Sequence, residues 1–162
     1  MTLKTILAAA AVSLAAIPSV SAKDVTYKVV SPDGHLSATV VVGSSITYSV
    51  SKDAVNLIDA SEISMTLFDG VVFGENDKVR KVRKASVDQT LPTVAYKKAQ
   101  VRDNYNEITL IFKEFSLAFR AYDEGVAYRF TSSLKNDSKV LAEKAQFNFA
   151  KDWDAYVPYV KQ

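Results

Sequence analysis

From Lys23 onward apolar residues recur at every second position, the period of an extended chain whose side chains alternate between two faces. Val25, Tyr27 and Val29 open the first predicted strand, and Ser31-Pro32-Asp33-Gly34 closes it. Proline presets φ at the second turn position, and glycine accepts the positive φ that follows. Leu36, Ala38, Val40 and Val42 alternate next, Gly43-Ser44-Ser45 turns the chain, and Ile46, Tyr48 and Val50 alternate again with Thr47, Ser49 and Ser51 between them. That pattern predicts a hairpin. A second is predicted where Ile63, Met65 and Leu67 run to Asp69-Gly70 and return through Val71, Val72 and Phe73. Residues 75–93 lose the period, mix both charge signs and end near Pro92, which reads as an irregular loop with room for one edge strand.

The strongest alternation lies further on. Ile108, Leu110 and Phe112 lead to a turn at Lys113-Glu114; Phe115, Leu117, Phe119 and Ala121 lead to Asp123-Glu124-Gly125; Val126, Tyr128 and Phe130 follow. Three consecutive antiparallel strands are predicted. After Asn136-Asp137-Ser138 a last strand is expected around Ala145, Phe147 and Phe149, then an aromatic-rich coil from Trp153 to Tyr159. Apolar residues do not follow helical spacing over any sustained stretch after residue 22. Many short strands with frequent turns predict an all-β fold, an antiparallel β-sandwich.

The first residues follow a different rule. Lys4 precedes an apolar run from Ile6 to Ile17, too short to span a bilayer; Pro18 breaks it, and Val20-Ser21-Ala22 supplies the small residues of a signal-peptidase site. Residues 1–22 are therefore read as a signal peptide cleaved between Ala22 and Lys23, with a periplasmic or secreted product. Residues 23–162 are the size of one domain or part of one, and no second long apolar stretch offers a membrane span. The absence of cysteine excludes disulfides, thiolate catalysis and sulfur-ligated zinc. A net charge of +2 gives no general affinity for polyanions, so nucleic acid is not an expected partner.

Candidate chemistry is sparse. Glycoside hydrolysis needs two carboxyl groups about 5 to 5.5 Å apart for retention or roughly 6.5 to 9.5 Å for inversion. The candidates are Asp103, Glu107, Asp123 and Glu124. Asp123 and Glu124 are adjacent in a turn where solvent keeps both ionised, so the sequence assigns no catalytic residue. His35, following a Pro-Asp-Gly turn, reads as a solvated strand-start residue, and no spacing of acids resembles a calcium loop, so no metal ligand is assigned. The basic run Lys78 to Lys84 reads as a solvated edge strand guarded by its lysines. Trp153, Tyr156 and Tyr159 are the residues best suited to stack on a pyranose or to pack against a neighbouring domain. Arg120 and Arg129 are placed on adjacent strands, where they could organise Asp103, Asp123 or Glu124.

Two segments carry a family resemblance across most of residues 23–162. Ser31-Pro32-Asp33-Gly34 with Tyr48-Ser49-Val50 is similar to the opening of the N-terminal domain of glycoside hydrolase family 97. More specific is Val101-Arg102-Asp103-Asn104-Tyr105-Asn106-Glu107, followed by Phe119-Arg120-Ala121-Tyr122-Asp123-Glu124-Gly125-Val126-Ala127-Tyr128-Arg129. The resemblance implies a galactose mutarotase-like super-sandwich, of which this sequence would hold about half. Arg120, Asp123, Gly125 and Arg129 would be structural motif residues. It further implies a calcium-dependent exo-acting α-glucosidase or α-galactosidase whose catalytic carboxylates lie in a (β/α)₈ barrel of the same or a neighbouring chain. In that setting the N-terminal domain is scaffold and pocket wall, meeting the α-linked oligosaccharide only indirectly, with no cofactor of its own. The alternative is a free-standing periplasmic carbohydrate-binding module.

Overall fold

The computed structural model describes residues 24–94, 97–154 and 156. Residues 1–22 and Tyr159 lie outside them, so the signal peptide and one of the three candidate aromatics have no structural counterpart here. Among the described residues the regular elements are strands: β1 Val25–Val30, β2 Leu36–Val42, β3 Ile46–Lys52, β4 Val55–Leu67, β5 Val72–Phe73, β6 Lys81–Pro92, β7 Gln100–Ile111, β8 Phe115–Tyr122, β9 Val126–Ser132, β10 Val140–Ala145 and β11 Asn148–Phe149. One sheet runs β1-β2-β3-β4-β10, with β5 and β11 also paired to β4; the other runs β6-β7-β8-β9. Every pairing is antiparallel. The all-β fold of two antiparallel sheets is the one the alternation predicts.

The period-two residues build the space between the sheets. Leu36, Ala38, Val40 and Val42 of β2 and Ile46, Tyr48 and Val50 of β3 are buried, facing Ile108 and Leu110 of β7 and Phe115, Leu117, Phe119 and Ala121 of β8. Each fully buried aliphatic or aromatic side chain contributes about 1.5–3 kcal/mol relative to exposure. At one end Phe115 stacks between Phe73 (4.6 Å between centroids) and Phe112 (4.3 Å); at the other Tyr48 meets Phe119 and Tyr128, each at 5.9 Å.

Local chemistry sets the turns. Gly34 has φ +84°, and Ser31, buried in the same turn, donates to Asp33 Oδ1 (2.5 Å) and accepts from Leu36 N (2.9 Å), so its hydroxyl is satisfied. Asp53 and Ala54 both take left-handed conformations, φ 48° and 65°, in a two-residue turn closing Lys52 against Val55. This is the primed geometry that follows the twist of the strands it joins.

The structure departs from the sequence pattern in three places. β4 begins at Val55, well before Ile63, because register shifts opposite Tyr48, Val50 and Ser51 break the alternation and Ser61 occupies a fully buried position. The Ser61 hydroxyl donates to Asp59 O (2.8 Å) and accepts from Asn148 N (2.9 Å), which makes a polar residue acceptable there. Within the expected loop of 75–93, Lys81–Pro92 is a strand that pairs residue for residue with β7. Its side chains are almost all exposed, so nothing in its sequence required an apolar period. The expected last strand is divided into β10 and β11, and Phe147 and Phe149 are 55% and 63% exposed, uncovered where alternation placed them inward.

Candidate functional site

The residues carrying the family resemblance converge on two places. The first is the outer face of the smaller sheet, where the β8 residues between the buried ones point away from the core. Register places Glu107 directly opposite Arg120 and Tyr105 opposite Tyr122. Arg120 Nε donates to Glu107 Oε2 at 2.7 Å, Thr109 Oγ1 donates to Glu107 Oε1 at 2.8 Å, and the guanidinium lies 4.2 Å above the Tyr105 ring. Burial alone would raise the Glu107 carboxyl, but the hydrogen bonds from Arg120 and Thr109 outweigh it and hold the group below its ordinary value. The same bond, ahead of burial, pushes the Arg120 guanidinium higher still.

This arrangement corrects the expected pairing of the arginines. Asp103 accepts from Gln89 Nε2 (2.9 Å) and Asp123 from the backbone of Asp33, while Arg120 takes Glu107, its direct cross-strand neighbour. Arg129 lies opposite Ala118 on the same face and is exposed. Arg102 forms a two-pronged pair with Asp88, both contacts 2.8 Å, on the β6–β7 ribbon.

The second place is the seam between the sheets. Asp33 N donates to Asp123 Oδ1 at 3.0 Å, joining the β1–β2 turn to the β8–β9 turn, and Asn106 Nδ2 donates to Val30 O at 2.8 Å. Thus the Ser-Pro-Asp-Gly turn, the Asn106 segment and the Asp-Glu-Gly turn, far apart in sequence, tie the two layers together. Gly125 belongs to the last of these turns, but its φ is not in the left-handed region and a Cβ would meet open space, so neither backbone nor packing here demands glycine.

Beside this seam opens a cleft of about 640 Å³, with Val126 and Tyr128 on one wall and Leu57, Ile58, Phe147 and Phe149 on the other. Trp153 lines it, with Lys151 Nζ 5.8 Å from its ring, whereas Tyr156 is 98% exposed and does not join it. Sequence reasoning missed Leu57 and Ile58, which carry no alternation, and expected Phe147 and Phe149 in the core. Burial, then Glu143, pushes the Tyr128 phenol up to about 12. His35 sits at the start of β2 as expected but has a partner, Asp53 Oδ1 at 2.6 Å, whose hydrogen bond raises the imidazole pKa above its ordinary value. The basic run enters β6 at Lys81, the outermost strand of its sheet.

Comparison with known proteins gives this geometry a setting. A family model described as Glycosyl-hydrolase 97 N-terminal matches residues 29–162. A curated relative, the retaining alpha-galactosidase of Bacteroides thetaiotaomicron, is 39% identical over 136 residues, 83% of this chain and 20% of the relative. A Glycoside Hydrolase Family 97 enzyme from Pseudoalteromonas sp. strain K8, solved in complex with acarbose, superposes with a TM-score of 0.67 at 24% identity, over 76% of this chain and 20% of that one. A crystal structure of a beta-arabinopyranosidase gives 0.69 at 24% identity, over 76% of this chain and 21% of its own. The chain spans about a fifth of the length of the relatives it matches.

Proposed function

We propose, on the premise that this chain belongs to the glycosyl-hydrolase 97 N-terminal family, that it is the non-catalytic scaffold and pocket wall of an exported α-glycoside hydrolase whose catalytic barrel is supplied by other polypeptide. The carrying observation is the asymmetry of the match, 83% of this chain against 20% of the glycosidase relative. Local chemistry supports the same reading. A glycosidase acid must hold a proton near neutral pH, and the best ordered carboxylate among the candidates, Glu107, is held ionised by Arg120. Asp103 and Asp123 are engaged in holding the β6–β7 ribbon and the seam between the sheets. Among the described residues no group of three or more His, Asp or Glu side chains is arranged to hold a metal ion. Calcium therefore enters this reading as a component of the assembled enzyme, and no step here is routed through it. The role left to this domain is positional, because small displacements of a pocket wall can cost about a hundredfold in rate.

The test replaces the matched segment of the Bacteroides thetaiotaomicron relative with this chain. Aryl α-galactosides and α-glucosides are then assayed in calcium against the chain alone, the relative's remainder alone and the chimera. Activity confined to the chimera is the expected result. Turnover by this chain alone, abolished by changing Asp103, Glu107, Asp123 or Glu124, would overturn the reading. Retention of the isolated chain on α-linked oligosaccharide, lost in Trp153→Ala, would favour the free-standing binding module instead.

Export is part of the same proposal, motivated by Lys4, the Ile6 to Ile17 run and Val20-Ser21-Ala22. Mass spectrometry of a periplasmic extract is expected to find Lys23 as the first residue. An intact Met1 in cytosolic material alone would exclude it.

A further inference from the structure

The two sheets differ in width, and the mismatch leaves one particular surface open. In the smaller sheet β9 is the last strand. Hydrogen bonds from Tyr122 N to Gly125 O and from Ser133 N to Glu114 O, both 2.8 Å, fix which β9 residues face β8. By the alternation of an antiparallel ladder, the backbone N–H and C=O groups of Val126, Tyr128, Phe130 and Ser132 point the other way. Among the described strands none pairs with that side. β9 lies over β3, its Tyr128 ring 5.9 Å from Tyr48, whereas the larger sheet continues past β3 through β4 to β10 and β11. The inner surface of that extension is the apolar floor of the cleft.

We infer that the free edge of β9 and this floor together receive one further β-strand, supplied by the part of a family 97 polypeptide outside the matched fifth. The strand continues the smaller sheet, and its alternate apolar side chains cover Leu57, Ile58, Phe147 and Phe149. An extended backbone is selected because one wall of the cleft is a row of unpaired peptide groups, the template for strand addition. Apolar side chains are selected because the floor continues the sheet-to-sheet core, with Tyr48 and Tyr128 lining both. A second copy joining β9 to β9 fits poorly. Each copy's larger sheet already extends past β9 by β4 and β10, so two copies would drive those strands into the same layer.

This inference rests on the proposed scaffold role and names the surface through which that role is exerted. Amide hydrogen exchange by mass spectrometry, on the chain alone and on the chimera, tests it. Peptides spanning 126–132 are expected to exchange at least about tenfold more slowly in the chimera, and Phe149→Glu is expected to remove that protection while leaving the melting of the isolated chain unchanged. An active chimera whose β9 exchanges as in the isolated chain overturns the inference and leaves the scaffold role standing. An inactive chimera with β9 protected does the reverse. Should the chimera not fold, the separately purified remainder is added to the chain, and absence of protection overturns the inference. Protection that grows with concentration of the isolated chain identifies a second copy as the occupant and overturns it as well.

Discussion

Phe119→Ala is expected to destabilise the chain by about 3–5 kcal/mol, the range for truncating a buried aromatic side chain. The ring is fully buried and is the contact point between the layers: it projects from β8 onto Tyr48 of β3 at 5.9 Å and Tyr128 of β9 at 5.7 Å. Removing it opens a void between two sheets whose backbones are held by their own ladders, so collapse around the void is restricted. Small domains have a net stability of about 5–15 kcal/mol, so a loss of this size is a large part of the whole. Urea denaturation followed by circular dichroism measures it, with Phe68→Ala as the control. Phe68 is 74% exposed, and its truncation is expected to change stability by no more than about 0.5 kcal/mol. Equal shifts for the two variants would contradict this assignment of the core.

Phe119 also shows why so much of the fold was legible. Where a strand has one face in the core and one in solvent, burial writes itself into the sequence with period two, as in Phe115, Leu117, Phe119 and Ala121. The same holds for β2 and β3. β6 lacks that constraint, since it is an edge strand held by backbone pairing to β7, and backbone hydrogen bonds leave no trace in side-chain type. β4 hides for another reason: its register shifts move the inward positions out of phase, so a uniform period does not describe it.

The candidate site was legible only as a set of residues. Arg120, Asp123, Asp103 and Glu107 were all named, but which pairs with which depends on register across β7, β8 and the two turns. Glu107 faces Arg120 because Ile108 faces Phe119 one step along the ladder, a fact about the pairing of strands. Asp123 meeting Asp33 spans the two sheets, and no local pattern encodes a contact between turns that distant in sequence. The cleft was least legible. Its aromatic lining was expected as core at Phe147 and Phe149 and as a trio at Trp153, Tyr156 and Tyr159, of which only Trp153 is placed in it.

Arg120→Ala is expected to destabilise the chain in a manner that depends on pH. At neutral pH the substitution leaves the Glu107 carboxylate, only 19% exposed, without its cation. Stranding a partly buried charged group costs about 1–3 kcal/mol, and the lower part of that range applies because the Arg120 side chain is 35% exposed and solvent screens the pair. Glu107 is held below its ordinary value, so its charge-dependent contribution is fully present above the unfolded-state pKa, near 4.5, and is lost as pH falls through the lower folded-state value. The difference in melting temperature between the parent chain and Arg120→Ala should therefore be larger at pH 7 than at pH 3. A remnant persists in acid because the guanidinium also covers the Tyr105 ring at 4.2 Å, packing that does not titrate with the carboxyl. Glu107→Gln separates the two parts: in that background removal of Arg120 should produce a shift that varies little with pH. A melting difference equal at both pH values in the parent background would mean that Arg120 acts through packing alone and that the ion pair at the centre of this face contributes nothing measurable.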